Sequence, residues 1–60
     1  MDKKDRNLAF IISRKGKKVR EEIIYNSTKI IKIQLIKFED RLFWIKRVNG
    51  LIKDFVEVTP

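Results

Sequence analysis

Two runs rich in branched and aromatic residues, RLFWIKRV and LIKDFVEV, flank an Asn49-Gly50 dipeptide near the end of the chain. A two-residue turn with positive φ at both central positions matches the twist of paired strands. Asn followed by Gly adopts it at low cost, so residues 41–58 read as a β-hairpin. Such a loop sets Val48 against Leu51. An unbroken ladder then sets Lys46 against Lys53, Trp44 against Phe55 and Leu42 against Glu57 on one face, with Phe43, Ile45, Val56 and Val58 on the other.

In residues 29–38, KIIKIQLIKF, helix and strand compete. At 100° per residue Ile33 and Ile36 fall among Lys29, Lys32 and Lys37, so a helical stripe is interrupted, whereas a period of two lines Ile31, Ile33 and Leu35 on one side. Four of the ten residues are isoleucine, whose stiff branched side chain favours the strand. Glu39-Asp40 reads as a tight turn that pairs Leu35 with Trp44, Ile33 with Lys46 and Ile31 with Val48.

Upstream, residues 7–13 and 18–25 read as two further strands. Residues 14–17 join them, with Gly16 supplying a positive φ at the turn. Leu8, Phe10, Ile12, Val19 and Ile23 then share a core face. Residues 1–6, MDKKDR, have no apolar period and are expected to form a mobile N-terminal arm. The expected fold is therefore all-β: a single small domain over residues 7–58, built as a five-stranded antiparallel meander in a strongly bent sheet or an SH3-like barrel. Both faces of the last three strands are apolar, which a sheet with one wet face does not need. Either the strands bend so that each changes sides, or a second subunit covers the spare face in a homodimer.

Sixty residues are near the lower limit for a core that folds alone, and there is no Cys and no His to brace it with disulfides or soft-ligand metal sites. No metal or cofactor is expected. The same lack removes the usual general bases and nucleophiles. Ser13 and Ser27 have no evident activating partner, so an enzyme is the least expected class. Isolated turn glycines at 16 and 50 exclude a phosphate-cradling loop. No apolar run is long enough to span a bilayer and residues 8–12 are too few for the core of a signal peptide, so an intracellular protein, cytoplasmic or nucleoid-associated, is expected, with no membrane partner.

Charge changes the picture most. Fifteen Lys and Arg against eight Asp and Glu give a net charge of +7, which makes a polyanion the first partner to consider. Lys- and Ile-rich composition of this kind also arises in biased or heat-adapted proteomes. Arg14, Lys15, Lys17 and Lys18 place four cations on the expected first hairpin tip, where they suit a phosphate backbone. Trp44 with Phe55, beside Lys46 and Lys53, forms a second candidate surface on which bases stack while ammonium groups meet phosphates; the competing role for Trp44 is packing in the core. Lys32, Arg41 and Arg47 share the opposite face. In its short length, its Lys15-Gly16 turn and a Trp in a Lys-rich central strand, the chain resembles the small basic SH3-like chromatin proteins of archaea. The likeness is one of composition and layout, and no residue role is carried over from it.

The expected function is nucleic-acid binding with little sequence preference, to DNA ahead of RNA, through Arg14, Lys15, Lys17, Lys18, Trp44, Lys46 and Lys53. The alternative is a non-enzymatic protein-interaction or assembly module that dimerises, of the small viral or plasmid-encoded type.

Overall fold

The computed structural model describes residues 3–58 and contains one helix followed by four strands: α1 (Lys3–Lys15), β1 (Lys17–Tyr25), β2 (Ile30–Phe38), β3 (Arg41–Val48) and β4 (Leu51–Glu57). The strands form one antiparallel sheet in the order β1-β2-β3-β4. This is a mostly β meander, open at both edges. The expected first strand is instead a helix, so there are four strands rather than five and no closed barrel. Lys3, Lys4, Asp5 and Arg6, expected in an arm, form the start of α1; Met1 and Asp2 lie outside the described residues, as do Thr59 and Pro60.

The helix has the marks its dipole favours, with Asp5 in the first turn and Arg14 and Lys15 in the last. Ala9 and Ile12, three residues apart, are fully buried against the sheet, where α1 packs on β2 and β4. Gly16 ends the helix, its N–H donating to the Ile12 carbonyl at 2.8 Å. It is needed for closeness and not for a positive φ: a Cβ there would lie 2.5 Å from Ile36 Cγ2 and 2.6 Å from the Ile12 carbonyl oxygen.

The β2–β3 ladder runs as its sequence implies, with Leu35 opposite Trp44, Ile33 opposite Lys46 and Ile31 opposite Val48. Asn49 and Gly50 both take positive φ, 51° and 86°, and Val48 meets Leu51. Beyond that the expected β3–β4 register fails. Lys53 is bulged out, so Lys46 faces Asp54, Trp44 faces Val56 and Ile45 faces Phe55. An unbroken ladder would have stacked Lys46 on Lys53, two like charges, and turned Phe55 away from the helix. The extra residue removes both problems.

The core lies between α1 and one side of the sheet: Ala9, Ile12, Ile36, Phe43, Ile45 and Ile52, with Phe38 and Phe55 packed against it. Phe43 and Phe55 stack with centroids 5.3 Å apart and planes 11° from parallel. Trp44 is on the other side and only half-buried, so the core is built on the face opposite the one that a buried Trp44 requires. Following the register, that far side shows four rows, of which the one nearest the β2–β3 turn is Lys17, Lys37 and Leu42 and the other three span all four strands. Of these three, the first is Arg20, Leu35, Trp44 and Val56; the second is Glu22, Ile33, Lys46 and Asp54; the third is Ile24, Ile31, Val48 and Leu51.

The β2–β3 turn uses Glu39 and Asp40 with φ of 52° and 62°, a left-handed conformation that costs a non-glycine residue on the order of 1 kcal/mol. Replacing the pair with Asn-Gly is expected to raise stability by about 1 kcal/mol. The check is urea unfolding, in which the midpoint rises and the slope stays unchanged.

Candidate nucleic-acid interface

The basic run from Arg14 to Lys18 keeps its cations together, but on a helix-to-strand corner and not on a hairpin tip. Arg14 and Lys15 close α1, Lys17 and Lys18 open β1, and the antiparallel ladder brings Lys37 directly opposite Lys17. All five side chains are exposed. Lys18 is paired with Glu21 at 3.1 Å, and Lys37 lies 4.0 Å from Asp40. Hydrogen bonds from Gln34 and then Lys18, with the charges of Lys18 and Lys32, hold the Glu21 carboxyl below its ordinary value. Arg14 and Lys15 complement the helix dipole, which accounts for them structurally. The Lys17–Lys37 pair has no such account, because like charges facing across a ladder repel.

The remaining sequence candidates are dispersed. Trp44 and Lys46 lie on the sheet face turned away from α1, Lys46 between Ile33 and Asp54. Lys53 sits at the β4 bulge, where it lines a depression with Arg6 and Phe10 of α1 and with Leu51 at the edge of the sheet. Trp44, Phe55, Lys46 and Lys53 therefore do not form one stacking surface. The bulge separates them.

Lys32, Arg41 and Arg47 do lie on the helix side of the sheet, but two of them are committed to the fold. Arg41 donates to both carboxylate oxygens of Glu57, at 2.9 and 2.5 Å, and its guanidinium stands 5.2 Å from the Phe43 ring centroid. Arg47 donates to Ser13 Oγ at 2.6 Å and to the Gly50 carbonyl at 3.4 Å, tying the end of α1 to the β3–β4 turn. Asn49 completes the clamp, its Oδ1 accepting from the Ile30 N–H at 3.0 Å. Lys32, opposite Arg47 on the ladder, lines an open groove with Ser13, Gln34 and Asn49.

Sequence reasoning missed two contributors, the Lys37 partner of Lys17 and the helix itself. α1 carries five Lys and Arg against one Asp. Around the helix Asn7 and Arg14 lie between its exposed Phe10 and Ile11, and Lys4 and Lys15 between Ile11 and the exposed Leu8, so these apolar residues make no continuous stripe. Among the described residues no helix is long and apolar enough to cross a membrane. No protein-family model matches the chain, and no curated protein or solved structure matches it. The functional reading accordingly rests on side-chain placement.

Proposed function

We propose that the protein binds nucleic acid with little sequence preference, neutralising phosphates at the corner where α1 ends and β1 begins. The observation that carries this reading is Lys17 facing Lys37 across the ladder, with Arg14, Lys15 and Lys18 beside them, in a chain of net charge +7. A phosphate between the two lysines turns a repulsion into two charge-assisted hydrogen bonds. Affinity comes from releasing the counterions condensed on the backbone, a term that needs no base contact. Duplex DNA is the first partner in this reading and RNA the second.

Binding is expected to weaken steeply with salt. With four to six phosphates met, the slope of log K against log salt on duplex DNA is about −4 to −5. Replacing Lys15, Lys17, Lys18 and Lys37 with Ala is expected to leave the circular dichroism spectrum intact and to bring that slope near zero. Titrating DNA, RNA and anionic vesicles across one salt series tests it. No binding of either nucleic acid at low salt removes the reading, and unchanged affinity in the variant moves the contact to the Lys32–Arg47 groove. A role in assembly is favoured by a different observation, the uncovered apolar side of the sheet, and is compatible with phosphate binding.

A further inference from the structure

We propose that two copies of the chain pack face to face through the side of the sheet opposite α1, burying Trp44 of each. In the single chain nothing among the described residues covers this side. Trp44 and Leu35 are half-buried, Val56 is 49% exposed and Leu51 is 64% exposed. The two rows that bear them run the full width of the sheet, and apart from Arg20 they are apolar.

Area points to a second copy. The chain exposes 4756 Å², about 600 Å² more than the roughly 4,100 Å² of a compact monomer of its 7.2 kDa mass. That excess approaches the roughly 800 Å² that each partner buries in a standard interface. Two antiparallel sheets stacked across about 10 Å are an ordinary way of hiding such faces.

Charge selects the same occupant over a polyanion. The three rows that span all four strands carry Arg20 and Lys46 against Glu22 and Asp54, so this part of the face is neutral within a chain of net charge +7, and the row of Lys17 and Lys37 borders it. Two such faces approach without repulsion. Lys46 and Asp54 are neighbours on adjacent strands, so these opposite charges already face each other across the ladder within each copy. Lys17 and Lys37 lie beyond the Leu35 row, at the rim, and remain open to solvent in the pair.

Trp44 is the chain's single tryptophan and reports directly on this contact. Sedimentation from submicromolar to millimolar protein is expected to show conversion from one chain to two, with a parallel blue shift of tryptophan emission. Leu51→Lys with Val56→Lys changes two exposed positions. It is expected to stay monomeric throughout, with red-shifted emission and an unchanged circular dichroism spectrum. Leu51→Lys alone, at the more exposed position, serves if the double variant does not fold, and is expected to weaken dimerisation at least tenfold. A wild type that remains monomeric to millimolar concentration overturns the proposal, as does a variant that dimerises like wild type. Quenching of Trp44 by an oligonucleotide on a monomer also overturns it, by assigning the face to nucleic acid.

Discussion

Phe43→Ala is expected to leave the protein unfolded, or close to it, at room temperature. Phe43 is 2% exposed, lies in the central part of the sheet and stacks on Phe55, with Ile36 opposite on the neighbouring strand. Truncating a buried Phe to Ala costs about 3–5 kcal/mol through lost transfer energy and the cavity left behind. Sixty residues at ordinary stability per residue hold only about 3–9 kcal/mol in total. Among the described residues the core has six buried side chains, and a chain without cysteine has no disulfide to make up the loss. Urea unfolding followed by circular dichroism should place the variant's midpoint near zero denaturant, whereas Phe43→Leu keeps a cooperative transition. A loss below about 1 kcal/mol for Phe43→Ala would mean that the core is on the Trp44 side.

The second large effect is expected at Gly16, and its sign is the informative part. Gly-to-Ala changes usually stabilise by about 0.4–1 kcal/mol when the backbone is compatible, because they restrict the unfolded chain. Gly16 has no positive φ to forbid alanine, yet the added carbon would press on Ile36 Cγ2, the Ile12 carbonyl and, at 3.0 Å, the Lys37 carbonyl. Ile36 is itself a core residue and two of the three obstacles are backbone. Gly16→Ala is therefore expected to destabilise by about 1–3 kcal/mol, since a packed site must shift to admit the methyl group. For a domain of this size that lowers the melting temperature by about 4–8 °C per kcal/mol. A stabilised variant would show that α1 does not rest this closely on the sheet.

All four strands are legible in the sequence, residues 18–25 among them, and the last three also because their turns carry local instructions. Asn49-Gly50 and the short Glu39-Asp40 loop fix where the chain reverses, and once the loop lengths are known the β2–β3 pairing follows by counting. Counting fails at Lys53, because a bulge is chosen by the balance of cross-strand pairs, Lys46 with Asp54 against Lys46 with Lys53, and not by the turn. The helix was misread as a strand because Phe10, Ile11 and Ile12 have high strand propensity, and because alternate residues there suggest a face. The better signal was weaker: Ala9 and Ile12 spaced three apart, acid in the first turn, base in the last, and glycine just beyond. At the candidate site the cations at 14–18 were visible as a run, since neighbours in sequence stay neighbours in space. Lys37 is not visible there, because the sequence sets residues 18–25 against 7–13 across the Gly16 turn, whereas β1 pairs with β2.

The two bulges sit where the sheet has open margins, Val19 in β1 and Lys53 in β4. A straight margin strand offers a row of free N–H and C=O groups to any other strand, which is how sheets grow into fibres. β1 is nine residues long and exposed along its whole length, with Ile23 and Ile24 among its residues, and would otherwise be a strong template. A kink at Val19 and charged side chains at Lys17, Lys18, Arg20, Glu21 and Glu22 break that row. The β4 kink does the same on the other margin, so neither edge of this small, isoleucine-rich sheet offers an uninterrupted strand.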